Sequence, residues 1–450
     1  MERKLFGTDG IRGIANIYPM TAEIALKLGQ AVAKVLINEK KSSPKVIIGK
    51  DTRVSGYIFE NALTAGLCSM GVLVYLVGPM PTPAIAHLTK SFAADAGIVI
   101  SASHNPAADN GIKVFSADGF KLPDNVEQKI EQIILSNNIS TEHIIGDKVG
   151  KAYRIEDARG RYIEFAKGTI NNLSLKGLKI VLDCAHGAAY KVAPLIFKEL
   201  GAEVIIINNT PNGLNINDNA GAMHPELLKK YVLENKAALG IALDGDADRV
   251  ILMDEAGNII NGDYILAIIA LFLKEKKQLS KNTVVATVMS NLGLIQLCKE
   301  NKIQFVQVKV GDRYVIEEMQ NSGAIIGGEQ SGHIILSEYT TTGDGTIAAL
   351  QVLRIMKEKK KKLSELASVL KEYPQVIINV EVKQKTPLEK LPAVSKKIKE
   401  VENKLADNGR VLVRYSGTQN CCRIMVEGQD KKEITNYADQ IAAELKKASN

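Results

Sequence analysis

A short apolar run that ends in small polar residues is the first place where the chain could do chemistry. Residues 97–106 read GIVISASHNP, in which Gly97–Ile100 predicts a buried strand and Pro106 stops any ladder or helix interior. Open α/β sheets bind ligands at the carboxyl ends of their strands. Ser103 is therefore a candidate nucleophile, although His104, its immediate neighbour, is poorly placed to act as its base. The alternative is an ordinary turn serine.

Three carboxylates close together give a second candidate. Asp244, Asp246 and Asp248 follow the predicted strand Leu239–Leu243, and on extended chain their side chains point to one side. Like charges this close repel unless a cation lies between them, and oxygen ligands suit Mg²⁺ or Ca²⁺. An EF-hand is excluded, because Arg249 stands where that loop needs glycine. The alternative is an acidic turn, whereas a Mg²⁺ site predicts a phosphate partner.

Three further stretches could bind a sugar phosphate. Residues 6–13, FGTDGIRG, predict a loop in which Arg12 makes a bidentate contact to phosphate, or else a surface ion pair. Residues 327–333, GGEQSGH, suit the reading of vicinal sugar hydroxyls, or else form a polar hairpin turn. Residues 414–423 carry two arginines, two hydroxyls and a glycine, which suit a phosphate cradle or a decorated turn. Lys113, on a predicted strand beyond the candidate nucleophile, can share its pocket.

The bulk composition is that of a multidomain globular protein, with 450 residues of which 46% are hydrophobic and 24% charged. No stretch approaches the roughly 20 apolar residues that span a bilayer, and the N-terminus lacks an apolar signal region. Five cysteines without a C-x-x-C pair predict free thiols and a cytoplasmic location. The net charge of +7 includes the lysine run 357–362, which predicts a solvated helix face or linker. We expect neither a nucleic acid nor a membrane as partner.

Strands and helices alternate along most of the chain, which predicts an α/β fold with mostly parallel or mixed sheets. The pattern is interrupted by a polar stretch near residue 150, by the end of a strand near 256, and by the lysine run that precedes Tyr373. After that run it changes to a small α+β unit. The predicted domains are 1–150, 151–256, 257–371 and 372–450.

Taken together, the motifs resemble the α-D-phosphohexomutase superfamily in order and spacing, from residue 1 to about 445. The matching stretches are FGTDGIRG, GIVISASHNP, DNGIK, LDGDADR, VGDRYV, GGEQSGH and TTGDG. The GEQSGH form is similar to that of members that act on glucosamine phosphates. The resemblance implies three related α/β domains with mixed sheets and a smaller C-terminal α+β domain around a central cleft.

The implied activity is that of an isomerase that interconverts glucosamine 6-phosphate and glucosamine 1-phosphate, which feeds UDP-N-acetylglucosamine and peptidoglycan precursors. Ser103 would carry a phosphoryl group and pass it to the sugar, giving a bound 1,6-bisphosphate, and would then take back the other phosphate. A trace of hexose 1,6-bisphosphate would act as activator. The protein would be a monomer or a homodimer.

The resemblance also implies roles for individual residues. The catalytic group would comprise Ser103, Arg12, Lys113 and His104, with Lys113 as general base or acid. One Mg²⁺ would be held by Ser103, Asp244, Asp246 and Asp248. The substrate-binding residues would be Arg249, Glu329, Ser331, His333, Arg414, Ser416, Gly417, Thr418 and Arg423.

Several positions depart from the superfamily pattern, and other functions remain open. The last loop continues as Gln419-Asn420 and then Cys421-Cys422 where relatives carry Glu-Pro, and His186, Ala220 and Met223 are unusual in the second domain. One alternative is a phosphoglucomutase or phosphomannomutase, against which Gln330 argues. A metal-dependent sugar phosphatase and a non-enzymatic sugar-phosphate sensor are the others.

Overall fold

A computed structural model describes residues 5–7, 9–36, 44–136, 139, 144–415 and 420–449. The chain forms two compact units. The first comprises residues 1–289 and 304–368, and the second comprises residues 290–303 and 369–450.

The first sheet of the larger unit carries Ser103 at the end of its most buried strand. Its elements are β1 (Phe6–Gly7), β2 (Gly10–Ile14), α1 (Ala22–Leu36), β3 (Lys45–Lys50), α2 (Gly56–Cys68), β4 (Leu73–Pro79), α3 (Thr82–Ser91), β5 (Ala96–Ile100), β6 (Asp109–Ser116), α4 (Asp124–Ser136) and β7 (Ala152–Arg154). The strand order is β1-β2-β6-β5-β3-β4-β7. Strands β5, β3, β4 and β7 run parallel, whereas β6 pairs antiparallel with β5 and β2. The sheet is therefore mixed, as predicted.

The central strand of the second sheet ends just before the acidic triplet Asp244, Asp246 and Asp248. Its elements are α5 (Ala158–Gly168), β8 (Lys179–Asp183), α6 (Val192–Glu199), β9 (Glu203–Ile207), α7 (Glu226–Glu234), β10 (Leu239–Leu243), β11 (Val250–Asp254) and β12 (Ile259–Ile260). The order is β12-β11-β10-β8-β9, with β9, β8 and β10 parallel and β10 antiparallel to β11. The turn between β10 and β11 therefore places residues 244–249 at one edge of the sheet.

The third sheet holds the GGEQSGH stretch. Its elements are α8 (Gly262–Glu275), β13 (Thr283–Thr287), β14 (Gln304–Val308), α10 (Asp312–Ser322), β15 (Ile326–Gly328), β16 (Ile334–Leu336), α11 (Gly345–Lys359) and α12 (Leu363–Ala367), while α9 (Leu292–Glu300) belongs to the second unit. The order is β14-β13-β15-β16, and β15 and β16 form an antiparallel hairpin. The stretch is therefore a polar hairpin tip, as one of the two predictions has it, and its contact with a sugar stays a prediction.

The smaller unit is an α+β fold around its own core. Its remaining elements are β17 (Gln375–Glu381), α13 (Pro392–Leu405), β18 (Gly409–Tyr415), β19 (Cys421–Gly428) and α14 (Lys431–Ser449). The sheet order is β17-β19-β18 with antiparallel pairs throughout. Apolar side chains from the sheet and from both long helices close the core, as Val380, Ile424, Val401 and Ile441 show.

Two features differ from the sequence prediction. The FGTDGIRG stretch was predicted as a loop, yet it forms the hairpin β1–β2, because Phe6 and Ile11 are buried and β2 completes its hydrogen bonds on β6. Residues 152–154 were assigned to the second domain, yet β7 pairs with β4 in the first sheet. Short strands with glycine or with few apolar residues lack the alternation by which strands are recognised.

Two expectations about the whole chain can be compared with the structure. All five cysteines are free, as predicted. Among the described residues, no helix combines the length and the apolar character needed to cross a membrane.

A buried carboxyl group at the start of α11 predicts a pH-dependent cost to stability. Asp344 accepts hydrogen bonds from the Ile347 N–H (2.9 Å) and the Tyr162 hydroxyl (2.8 Å), and burial raises its pKa to about 6. The folded carboxyl keeps its proton to higher pH than the unfolded one, so stability falls as pH rises from about 4 to about 6.

We expect Asp344→Asn, which keeps the helix cap and removes the charge, to stabilise the protein above pH 6 by up to about 3 kcal/mol. The gain should disappear near pH 4. Thermal unfolding of both proteins across this range checks it, with the exposed Asp157→Asn as control. Parallel pH profiles for the wild type and Asp344→Asn would refute this account of Asp344.

Candidate active site

The hydroxyl of Ser103 meets the acidic triplet, although 141 residues separate it from Asp244. Ser103 lies three residues beyond the end of β5 and is 1% exposed. Its backbone is left-handed, with φ of +52°. Its Oγ donates a hydrogen bond to Asp244 Oδ2 at 2.8 Å. The two strongest candidates from the sequence therefore form one site.

The acidic triplet converges through a tight turn. The prediction of an extended segment was wrong, because Ala247 has φ of +57° and its N–H donates to the Asp244 carbonyl at 3.0 Å. This turn brings one carboxylate oxygen of each of Asp244, Asp246 and Asp248 within 4.8 Å of the others. The geometry is that of a cluster, as predicted, reached by a different backbone path.

The residues of this cluster fit a hard divalent cation. Oδ1 of Asp246 and Oδ1 of Asp248 are buried and have no hydrogen-bond partner among the described residues. Burial, followed by the charges of Asp248 and Asp246, raises the pKa of Asp244 well above its usual value. Unpartnered carboxylate oxygens that repel one another are stabilised by a cation with oxygen ligands.

Lys113 lies among the carboxylates. Its Nζ is 2.9 Å from Asp246, 3.2 Å from Asp9 and 3.5 Å from Asp248, and its side chain is 2% exposed. Burial opposes the charged amine, but the carboxylates of Asp246, Asp9 and Asp248 outweigh it and raise the pKa of Lys113. Lys113 is therefore a cation in this arrangement, held by three carboxylates.

Alternating charges continue from this lysine into the third sheet. Asp9 pairs with Lys121, and Lys121 pairs with Asp312 at the start of α10. His333 lies between Asp312 (Nε2, 3.5 Å) and Asp248 (Nδ1, 3.6 Å). We call Asp248, Lys113, Asp9, Lys121, Asp312 and His333 the charge ring. It connects residues that follow strands of all three sheets.

Three members of the charge ring have no role in the sequence analysis. Asp9, Lys121 and Asp312 are ordinary charged residues by type, although Asp9 and Asp312 belong to the motifs FGTDGIRG and VGDRYV. The presence of a carboxylate within these motifs was the feature by which Asp9 and Asp312 could have been identified. Lys121 carried none, because its partners are 112 and 191 residues away.

Two arginines and a histidine surround the serine. Arg12 pairs with Asp9, and Nη1 of Arg249 is 3.0 Å from Nδ1 of His104. Burial, then the charges of Arg249 and Arg12, lower the pKa of His104 to about 4, so the ring is neutral at pH 7. Its Nδ1 accepts from Arg249 and is 3.4 Å from Ser103 Oγ, which makes His104 a poor base for that serine. Each arginine keeps a buried Nε with no hydrogen-bond partner among the described residues, although that of Arg249 lies 4.0 Å from Asp248 Oδ1.

The hairpin tip between β15 and β16 fixes a carboxylate. Glu329 Oε1 accepts from the Gly311 N–H at 3.1 Å, and Oε2 accepts from the Ser331 hydroxyl at 3.3 Å. Glu329 and Ser331 are thus linked to each other at the hairpin tip, and their binding of a sugar stays a prediction. His333 differs from these two residues, because it is only 2% exposed and its ring nitrogens lie beside Asp248 and Asp312.

The predicted phosphate cradle is described only in part. Ser416, Gly417, Thr418 and Gln419 lie outside the described residues. Arg414 and Arg423 are directly opposite each other on β18 and β19. Burial and the charge of Arg423 lower the pKa of Arg414. Two like charges held side by side suit an anion.

Comparison with domain families covers nearly the whole chain. The phosphoglucomutase/phosphomannomutase family matches with its α/β/α domain I at residues 3–140, domain II at 160–257, domain III at 261–373 and its C-terminal domain at 377–444. The four matches follow the order of the three mixed sheets and the smaller unit.

Curated relatives and solved structures agree with these matches. The phosphoglucosamine mutases of Syntrophotalea carbinolica and Geotalea daltonii are each 56% identical, over 98% of this chain and 97% of theirs. A phosphoglucomutase/phosphomannomutase family protein from Burkholderia thailandensis has the same fold (TM-score 0.80, 22% identity, 98% and 97% of the chains). So does an Aspergillus fumigatus N-acetylphosphoglucosamine mutase solved with GlcNAc-6P and magnesium (TM-score 0.68, 17% identity, 100% and 96% of the chains).

The serine at the triple-aspartate cluster, the four domain matches in order and the 56% identity over 98% of the chain lead to one assignment. The chain belongs to the α-D-phosphohexomutase superfamily and, within it, to the phosphoglucosamine mutase family.

Proposed function

We propose that this protein interconverts glucosamine 6-phosphate and glucosamine 1-phosphate through a phosphoserine at Ser103. The observation that carries the proposal is the buried Ser103 hydroxyl at 2.8 Å from Asp244, in a chain 56% identical to phosphoglucosamine mutases. Phosphoryl transfer needs mainly positioning and neutralisation of charge, and both are concentrated around this hydroxyl. The product would feed UDP-N-acetylglucosamine and hence peptidoglycan precursors.

The reaction has two balanced transfers. In the first, the bond from phosphorus to Ser103 Oγ breaks, a bond from phosphorus to sugar O1 forms, and the proton of the O1 hydroxyl ends on Ser103 Oγ. The bound 1,6-bisphosphate then reverses its orientation. In the second, the bond from phosphorus to O6 breaks, a bond from phosphorus to Ser103 Oγ forms, and the proton of the Ser103 hydroxyl ends on O6. A trace of hexose 1,6-bisphosphate restores phosphoserine when the intermediate escapes.

Lys113 is our candidate for moving the proton. Its ammonium lies 2.9 Å from Asp246, and as general acid it would give a proton to the departing sugar oxygen. Arg12 and Arg249 stabilise oxygens of the transferring group, and the neutral His104 holds the Arg249 guanidinium in place. His104 then acts as a partner of Arg249 rather than as the base.

Asp244, Asp246, Asp248 and the phosphate on Ser103 would hold one Mg²⁺. When bound, this ion neutralises negative charge on the phosphoryl group as it transfers. The unpartnered oxygens of Asp246 and Asp248 support the assignment, as does the magnesium found with the Aspergillus fumigatus enzyme.

We propose that Glu329 and Ser331 bind the sugar hydroxyls, since their side chains are already linked at the hairpin tip. Arg414 and Arg423, with Ser416, Gly417 and Thr418, would bind the phosphate that is not reacting. His333 would support substrate binding from behind Asp248. A single cradle for both orientations explains how one serine reaches both ends of the sugar.

We propose four domains with boundaries close to 150, 256 and 371, the first moved past Arg154 because β7 completes the first sheet. We further propose that the enzyme is cytoplasmic, which its free cysteines support, and is a monomer or homodimer.

Phosphorus NMR tests the proposed function. The protein is mixed with Mg²⁺, a trace of glucose 1,6-bisphosphate and, in parallel, glucosamine, glucose or mannose 6-phosphate. We expect 1-phosphates to appear, fastest from glucosamine 6-phosphate. Faster turnover of glucose or mannose 6-phosphate would make the protein a phosphoglucomutase or phosphomannomutase. Release of inorganic phosphate would make it a phosphatase, and an unchanged spectrum would favour a sensor.

A further inference from the structure

Two side chains from different domains hold the backbone around Ser103. Arg53 Nη2 donates to the carbonyl oxygens of Ser103 (3.3 Å) and Asn105 (2.5 Å). Asn217 Nδ2 donates to the same two oxygens, at 2.9 Å and 3.0 Å. We call Arg53, Asn217 and these two carbonyls the carbonyl clamp. None of the motifs that carry chemistry in the sequence contains either donor.

The serine needs such support because its backbone is strained. A left-handed backbone conformation is energetically unfavourable for a residue with a Cβ. Ser103 adopts it, with φ of +52°, in a buried position. Such strain persists only where surrounding contacts over-determine the conformation. The Ser103 N–H adds one contact by donating to Ser101 Oγ at 3.0 Å, and the clamp supplies the contacts on the carbonyl side.

Arg53 is itself immobilised. Asp51 receives the Arg53 N–H at 2.9 Å, pairs with its guanidinium, and also accepts from the Ser101 hydroxyl. Arg53, Asp51 and Ser101 are each no more than 1% exposed. The buried ion pair between Arg53 and Asp51 therefore orients the Arg53 guanidinium toward the two carbonyls. Both residues follow β3, a strand of the sheet that also carries Ser103.

Asn217 connects the serine to the metal-binding turn. It lies in the second domain, beside Gly245, the residue between the first two aspartates. A Cβ on Gly245 would lie 2.6 Å from the Ser103 carbonyl oxygen and 2.7 Å from Asn217 Nδ2. The serine loop, Asn217 and the aspartate turn therefore meet with no spare space, and Asn217 contacts the serine loop at the point where the turn approaches it.

We propose that Asn217, together with Arg53, is a positioning residue that holds phosphorylated and free Ser103 in register with the aspartate turn. This inference rests on the proposed mutase function. Since Ser103 gives and receives phosphate in both half-reactions, the clamp serves both directions equally, and substrate affinity does not depend on it.

The test compares Asn217→Ala with Asn219→Ala. Asn219 is a matched control, because it also has a left-handed backbone (φ of +48°, against +61° at Asn217), is exposed, and donates to its neighbour Asp218. We expect Asn217→Ala to lower kcat about 100-fold in both directions with KM changed less than about twofold. The rate at which glucose 1,6-bisphosphate phosphorylates Ser103 should fall by the same factor. Asn219→Ala should match the wild type.

Asn217→Asp covers the case in which the alanine variant fails to fold. It keeps the volume of the side chain but replaces the N–H donors by oxygens that face two carbonyls, so its kcat should fall at least as far. A wild-type protein with no mutase activity would reject the proposed function itself. An active wild type with Asn217 variants equal to Asn219→Ala, or with raised KM and unchanged kcat, would overturn the clamp.

Discussion

Replacement of Ser103 by alanine should lower mutase turnover by at least about 10⁴-fold, because no other group can carry the phosphoryl between the two sugar oxygens. The variant should also fail to take up phosphate from labelled glucose 1,6-bisphosphate. Its fold should survive, since the hydroxyl donates a single described hydrogen bond to a carboxylate, Asp244. Turnover and label uptake are measured side by side.

Ser116→Ala is the matched control for that variant. Ser116 ends the neighbouring strand β6, and its hydroxyl donates to Asp118 and Phe120, away from the aspartate turn. It should keep the activity and the label uptake of the wild type. Near-normal turnover in Ser103→Ala would remove the phosphoserine from the mechanism, whatever the substrate.

The second large effect is expected at the acidic cluster. We expect Mg²⁺ to raise the thermal midpoint of the wild type, and Asp248→Asn should abolish that rise and lower turnover roughly 10³-fold. The reason is that Asp248 belongs to the buried carboxylate cluster and to the charge ring, through Lys113 and His333. Thermal unfolding with and without Mg²⁺ reports the loss independently of activity.

Asp218→Asn, an exposed change in the same domain, should retain both turnover and the Mg²⁺-dependent rise. Treatment of the wild type with a chelator should reproduce the Asp248→Asn phenotype, and added Mg²⁺ should reverse it only in the wild type. If Asp248→Asn kept its thermal response to Mg²⁺, the cluster would not be the metal site.

Local sequence pattern was sufficient for the elements that carry the chemistry. The apolar run before Ser103 and the segment Leu239–Leu243 are both strands, as predicted. A short, continuous apolar stretch that is bounded by polar residues is typical of a buried strand. The clustering of the three aspartates also followed from residue type and spacing, and their binding of a cation stays a prediction. The turn that unites them did not follow from either, because the left-handed backbone of Ala247 has no signal in its residue type.

Contacts over long sequence distances could not be predicted. Lys113 reaches Asp246 across 133 residues, and Asn217 reaches Ser103 across 114. The spacing of residues along the chain does not predict which distant residues come together in the fold. Lys113 could therefore be placed near Ser103, but its carboxylate partners could not be identified. The same holds for His333, whose imidazole lies beside Asp248 and Asp312, neither of which its own loop contains.

The central claim is that one phosphoryl group passes between Ser103 and the sugar. It is tested most directly with protein that carries radioactive phosphate on Ser103, freed of small molecules and mixed with unlabelled glucosamine 6-phosphate and Mg²⁺. We predict that the label leaves the protein and appears in glucosamine 1-phosphate within the time of one turnover. Label that stays on the protein while product forms, or that appears as inorganic phosphate, would contradict the account.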